Sequence, residues 1–374
     1  MRRTASAAGP RAGMLVCICD PQVDAPANDN AGAPAPPLAL ALGFALAVLA
    51  QTLASGILPL AGAALAPRPD LATVPFAAML TGAALASFPA SFLGDAFGRR
   101  TGFALGASLG IAGGALLAMG LLQRQFAWIC LGALWLGMAQ GFSFFYRHEA
   151  AAAGGRPAAA AAGVLAGGLL AALVGPALAS GAEWLFAPVF LVGSAILAAL
   201  AHTLSLGVAV WMAPNSVSVP AFGPTAPLKA VVVPTVLGAL AWFGMSFVMA
   251  DAPTALLGCG IGEGAVFGFI ALHVAAMYAP AAPLAVFGSR LPPQALTFAG
   301  LALVALAIPL LLVGEAAALT AALVLVGGGW SVATVGCTGW LYRDRRPGRL
   351  ALALHDGSLF TAAILGALAA GRFA

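Results

Sequence analysis

Few side chains in this 374-residue chain could do chemistry, because only 7% are charged and there are four histidines. His273 stands in the run Leu272-His273-Val274-Ala275-Ala276-Met277-Tyr278-Ala279-Pro280, where His273, Met277 and Pro280 share one helical face by i, i+4, i+7 spacing. An imidazole, with an ordinary pKa of about 6.5, is the group in such an apolar run that can titrate near neutral pH. His273 is therefore either a cavity group for substrate or protons, or a histidine hydrogen-bonded between helices. His355 and Asp356 form an adjacent base and acid. Asp356 is placed to neutralise His355, Arg346 or Arg349, in a structural, gating or coupling role. Gln51 and Gln140 are uncharged amides in apolar surroundings, and Trp242 and Trp330 each offer a flat apolar face with one donor. Tyr146 and Arg147 read as interfacial anchors or gate residues, and His202 as a residue facing another helix. The five cysteines (Cys17, Cys19, Cys130, Cys259, Cys337) are scattered, the sole lysine is Lys229, and no metal set, nucleophile–base pair or phosphate loop is written in the chain. An enzyme, a metal and a cofactor are not expected.

The elements that hold these groups follow from composition. With 62% hydrophobic residues, and 7% charged against about 25% in ordinary soluble domains, the chain cannot clothe a soluble surface. A soluble enzyme, a nucleic-acid binder and a disordered chain are excluded. A helix needs about 20 apolar residues to cross roughly 30 Å of hydrocarbon. On that scale the sequence predicts eleven spans, near 38–60, 74–93, 102–122, 126–146, 158–180, 187–211, 229–250, 265–287, 295–313, 317–340 and 351–371. The Ala/Leu/Gly runs do not alternate, so a membrane barrel does not fit. The class is an all-α polytopic membrane protein. Within it the frequent Gly (47) and Pro (26) read as close helix contacts and tolerated breaks.

Basic residues set the expected orientation. With the N-terminus inside, 13 of the 16 basic residues fall on the cytoplasmic side, and Arg68, Arg124 and Arg372 fall outside. The outer loops carry Asp70, Glu183, Asp251, Glu263 and Glu315. Residues 1–37 are expected to be a disordered cytoplasmic tail without a cleavable signal, leaving the first span as its own insertion signal. An ionisable group at mid-bilayer costs roughly 3 kcal/mol or more unless it meets a cavity or a partner, so each one in the spans reads as a candidate site.

Spans two and three are joined by Ser91-Phe92-Leu93-Gly94-Asp95-Ala96-Phe97-Gly98-Arg99-Arg100. This resembles the loop motif of the major facilitator superfamily, G-x-L-a-D-r-x-G-R-k, with Leu93, Asp95, Gly98, Arg99 and Arg100 matching. Ser91 stands for the leading Gly, and Ala96 for the first Arg. A decayed copy, Phe287-Gly288-Ser289-Arg290-Leu291-Pro292, occupies the corresponding loop of the second half. The resemblance implies a two-bundle helical fold of about eleven transmembrane helices working by alternating access. Its parts are a tail 1–37, a six-helix bundle 38–211, a cytoplasmic linker 212–228 and a five-helix bundle 229–374, with the family's twelfth span missing. It implies cavity roles for Gln51, Gln140, Trp242, His273 and Trp330. Asp95, Gly98, Arg99, Arg100 and Asp356 become gating residues, and Asp95 is expected to latch onto the N-terminus of span eleven. The expected function is secondary transport of a small, neutral or weakly charged amphipathic solute across the inner membrane, proton-coupled if His273 titrates and facilitated otherwise. The alternative is a truncated, inactive relative serving as a membrane scaffold. The expected partners are the small-molecule substrate, the lipid bilayer and, in the coupled case, protons. No nucleic acid is expected, and the chain is expected to act as a monomer.

Overall fold

The structure is a computed structural model that describes residues 36–153, 155–189, 191–212 and 226–370. Nearly all of the expected tail 1–37, most of the linker 212–228, and Arg372 lie outside the described residues. In hydrocarbon a backbone must satisfy its own hydrogen bonds, and these charge-poor runs do so as helices. In order they are α1 (Pro37–Leu65), α2 (Val74–Phe97), α3 (Arg99–Leu122), α4 (Phe126–Ala152), α5 (Pro157–Leu185) and α6 (Val192–Trp211). The second half holds α7 (Leu228–Gly258), α8 (Glu263–Tyr278), α9 (Ala281–Phe287), α10 (Pro293–Leu310), α11 (Ala316–Leu341) and α12 (Arg349–Ala370). Eleven helical stretches among the described residues are long and apolar enough to cross a membrane. The expected eighth span, 265–287, is not one continuous helix. It divides into α8 and α9 around Ala279-Pro280, where proline lacks the amide needed to carry the ladder on.

Proline opens α1, α5 and α10, where its missing N–H costs nothing. A single residue, Gly98, turns α2 into α3 at φ +82°, a backbone conformation that side chains resist. This explains in backbone terms why the loop carries glycine there. Successive spans run in opposite directions, so the joints at Gly98, after α4, α9 and α11, and before α7 all fall at one end. That end gathers Arg99, Arg100, Arg156, Lys229, Arg290, Arg343, Arg345, Arg346 and Arg349, and we call it the basic end. The other end holds Arg124, Glu183, Glu315 and the exposed pair Arg68–Asp70 at 2.6 Å, and we call it the acidic end.

Two groups of helices form. In the first, α4 packs on α2 and α3, α3 on α6, and α1 on α5 and α6; in the second, α10 packs on α11, and α7 on α12 and α11. The groups meet mainly where α2 crosses α12 and where α5 crosses α8, α9 and α11. Glycine sets the spacing. A Cβ on Gly137 of α4 would overlap the Met79 carbonyl of α2, and one on Gly82 would overlap the Leu134 carbonyl, so backbone lies on backbone along this seam. Gly207 of α6, in contrast, faces open space.

Gly137→Ala should therefore force α2 and α4 apart and cost about 1–3 kcal/mol. Gly207→Ala should be neutral or gain up to about 1 kcal/mol of helix propensity. Thermal unfolding of both variants in detergent checks this, and equal midpoints would show that the seam does not need its glycine.

Candidate functional site

Six aromatic side chains from six helices converge between the two groups: Phe44 (α1), Phe144 (α4), Trp242 (α7), Tyr278 (α8), Trp330 (α11) and Phe360 (α12). Phe144 is the hub, with ring centroids 5.8 Å from Phe44, 5.1 Å from Trp242, 6.3 Å from Trp330 and 5.5 Å from Phe360. Trp242 lies 5.3 Å from Trp330 and 5.0 Å from Phe360, and Tyr278 closes the ring at 5.9 Å from Trp330 and 5.8 Å from Phe44. Nearly all meet edge to face, the arrangement that aromatic quadrupoles favour. All six are buried. Yet the indole N–H of Trp242 and that of Trp330 have no acceptor among the described residues. A buried donor left unmade costs about 1–3 kcal/mol, so this box is apolar in area but has two polar bonds to give.

One helical turn toward the basic end, the box has a charged floor. On α4 the step is Phe144 to His148, and on the oppositely running α12 it is Phe360 to Asp356, each four residues or about 6 Å. Arg147 Nη2 donates to Asp356 Oδ1 at 2.6 Å, and His148 Nε2–H donates to the same carboxylate, 3.1 Å from Oδ1 and 3.2 Å from Oδ2. Arg147 and Asp356 are each 1% exposed. The guanidinium also lies 5.1 Å from the Phe144 ring centre, directly under the box. On the far side, Thr235 of α7 donates its one hydroxyl proton to the Val231 carbonyl at 2.7 Å. Its 2.8 Å contact with His355 must then be accepted from Nδ1–H. That tautomer leaves His355 Nε2 a bare acceptor 4.0 Å from Asp356 Oδ1. The Arg147–Asp356 pair joins the two helix groups. Nearer the basic end Ser91 Oγ donates to the Arg349 carbonyl at 2.7 Å, and Arg349 stacks over Phe92 at 5.3 Å, joining α2 to the start of α12.

Of the residues the sequence predicts, Trp242 and Trp330 sit in the box. Gln140 is one turn from Phe144 on the acidic side, buried, with its Oε1 unpartnered among the described residues. Gln51 lies seven residues beyond Phe44, half-buried on the same side. His273 is not among the rings. Its Nδ1–H donates to the Leu323 carbonyl of α11 at 2.8 Å, in a seam that Gly327 keeps open, because a buried imidazole takes the nearest carbonyl. Asp356 does not take Arg346 or Arg349 as partner. It reaches across to α4, where the guanidinium is buried and in line. Arg147 and Tyr146 are correspondingly not interfacial anchors: both are buried, and Tyr146 stacks on Phe103 at 3.8 Å inside the first group. His202 does face another helix, its ring lying where a Cβ on Gly110 of α3 would stand. Gly98 makes the α2–α3 turn, Arg99 is buried and feels the charge of Glu149, and Arg100 is half-buried. Asp95 belongs to α2, but its side chain lies outside the described residues. Sequence reasoning passes over His148, Phe44, Phe144, Tyr278 and Phe360. The available signal was the pairing of an aromatic with an ionisable group four residues away on two helices, Phe144 with His148 and Asp356 with Phe360. Among the described residues no group of His, Cys, Asp and Glu could hold a metal ion.

No family model matches the chain. A riboflavin transporter, RfnT, of Brucella anthropi is 31% identical over 320 residues, covering 82% of this chain and 76% of that protein. Among solved structures, the transporter FucP in its outward conformation matches with a TM-score of 0.61 at 15% identity over 90% of each chain. A bacterial homologue of the iron transporter ferroportin, outward-facing, matches at 0.60 and 17% over 90% of this chain and 92% of that one. The human organic anion transporter MFSD10 matches at 0.63 and 15% over 89% and 91%. At these identities the solved structures establish the fold alone.

Removing one member of a buried ion pair strands the other, typically at about 3–5 kcal/mol, whereas removing both is often neutral. Arg147→Met and Asp356→Leu should each lower the unfolding midpoint strongly, and the double variant should recover most of the loss. Additive losses in the double variant would mean that the two side chains do not share one interaction.

Proposed function

The chain belongs to the major facilitator superfamily, and from that premise we propose that it moves a flat, uncharged heteroaromatic solute bearing hydroxyls, of which riboflavin is the type, by alternating access. The observation that carries this reading is the buried six-ring box with two unpaired indole donors. Stacked rings fit a planar heterocycle, and the indole N–H groups fit its carbonyl or ring-nitrogen acceptors. Gln140 and Gln51, stepping toward the acidic end, suit a chain of hydroxyls. The 31% identity to a riboflavin transporter supports the same solute class. Among the described residues no cationic side chain on the acidic side of the box would meet a phosphate, which argues for the unphosphorylated form. An inactive scaffold would have no use for a box whose donors lack acceptors.

In this proposal the chain sits in the inner membrane with its basic end and N-terminus in the cytoplasm, in accord with the 13-to-3 split of basic residues. The moving halves are 38–211 and 229–374, joined by 212–228. Asp95 remains the latch on the first turn of α12. The Ser91–Arg349 bond, four residues earlier on α2, supports that closeness. The coupling proton is assigned to His355 Nε2 in place of His273. This nitrogen faces Asp356 from its own helix and is flanked by Arg147 and His148 of α4 and Thr235 of α7. A proton placed there would become the missing donor between two acceptors.

Uptake of labelled riboflavin into proteoliposomes tests the function. Ring stacking is worth about 1–3 kcal/mol per base, so Trp242→Ala or Trp330→Ala should weaken uptake at least about fivefold, with Trp→Phe falling between. Absence of saturable uptake by the parent protein would sink the reading. Acidifying the side facing the acidic end should accelerate net uptake. His355→Asn should abolish that response while leaving riboflavin exchange at equal pH intact, and a full response in the variant would take the proton off His355.

A further inference from the structure

The charged floor has more hydrogen-bonding capacity than it uses. Arg147 donates through Nη2 to Asp356 and through Nη1 to the Phe144 carbonyl at 3.4 Å, but its Nε–H has no acceptor among the described residues. On Asp356, Oδ1 takes both Arg147 and His148, while Oδ2 takes only His148 at 3.2 Å and keeps lone pairs to spare. Trp242, 5.0 Å from Phe360 and so one turn above Asp356, and Trp330 each hold an unused indole N–H. At the foot of the box there is thus a spare charged donor, a spare charged acceptor beside it, and a spare neutral donor above.

We propose that the Arg147–Asp356 pair is a composite reader for a cyclic imide edge, the C=O, N–H, C=O sequence of a planar fused ring, and that this reader exists only while the basic end is shut. The inference rests on the reading above that the box holds a planar heteroaromatic. The imide N–H would donate to Asp356 Oδ2, one flanking carbonyl would accept from Arg147 Nε–H, and the other from an indole N–H. Such a donor–acceptor–donor array matches an imide and leaves charge unpaired against a ring that lacks the N–H. Sites built to hydrogen-bond a buried group discriminate strongly against analogues without it. Arg147 comes from α4 in one half and Asp356 from α12 in the other, so the array comes apart as soon as the halves separate at that end. The solute would therefore be held tightly when it enters from the acidic end and would lose its polar anchor as the basic end opens. This is the differential affinity that a carrier needs to release its load.

The test is binding to the purified full-length protein, followed by quenching of tryptophan fluorescence. It compares riboflavin, its imide N-methyl analogue, and an analogue carrying the same extra carbon on the benzenoid edge. We expect the imide N-methyl analogue to bind at least tenfold more weakly and the benzenoid analogue to bind within about threefold of riboflavin. Equal binding of all three overturns the imide reading while leaving riboflavin in the box. Equal weakening of both analogues also overturns it, by showing steric exclusion without recognition of the edge. No riboflavin binding at all would instead be the failure of the function proposed above. The state dependence has its own check in Ser91→Cys with Arg349→Cys, bridged by a short bifunctional thiol reagent to hold the basic end shut. Riboflavin affinity and the tenfold discrimination should persist in the bridged protein, and loss of either on bridging overturns the state-dependent reader.

Discussion

The interaction on which the arrangement depends is the buried bond between Arg147 of α4 and Asp356 of α12. Two opposite charges at such a depth are tolerable only in contact and with further hydrogen bonds, and His148 supplies one of these to the same carboxylate. The pair joins two groups of helices that otherwise touch mainly through apolar and small residues, with the Ser91–Arg349 bond as a second polar tie nearer the basic end. Its geometry therefore fixes how closely α4 and α12 approach, and with them Phe144 and Phe360 one turn above. The aromatic box is the consequence, since the rings that meet there are those carried in by the two charged helices and their neighbours. In the proposed transport cycle, parting the two groups at the basic end would break the pair and expose both charges, which would confine that motion to a state that water can enter.

Polarity is graded along the axis through the box. Toward the basic end lie a guanidinium, a carboxylate and two imidazoles; in the middle are six rings with only indole and phenol polar atoms; toward the acidic end are the amides of Gln140 and Gln51. The solute proposed above, planar with one strongly hydrogen-bonding edge and a hydroxylated tail, would follow this order with the edge down and the tail up. The rings pack on one another between the two groups, so a solute entering the box, as proposed, would take the place of ring-on-ring contacts of comparable shape.

Small residues make the rest possible. The backbone-to-backbone seam of α2 on α4 through Gly82 and Gly137 brings the first group close enough for Phe144 to project into the second. In the second group, Gly300 and Gly329 do the same for α10 and α11 around Trp330. In lipid, where burying apolar area between helices gains little, this close approach and the polar contacts carry most of the association.

Composition and hydropathy were enough to determine the class, the eleven spans and the end that gathers basic charge, because each depends on a sum along the chain. A run of apolar residues has few alternatives in a bilayer. Gly98 was legible as a match to the resembled loop motif, but that it makes a one-residue turn at positive φ came from the structure. Trp242 and Trp330 stood out because they stand at equivalent depths in spans seven and ten, where an indole offers a flat apolar face and one donor. Phe44, Phe144 and Phe360 did not, being three among 21 phenylalanines with nothing local to distinguish them. His273 and Asp356 show the limit most plainly. Both were visible as costly groups at membrane depth, but the partner of each was decided by which helix came to lie beside it. Gly327 left a carbonyl within reach of the His273 ring, and α4 placed Arg147 and His148 against a carboxylate 209 and 208 residues away in sequence. Depth is a property of the segment and can be read from it. A hydrogen-bond partner is a property of the packing between segments, and only the tertiary structure decides it.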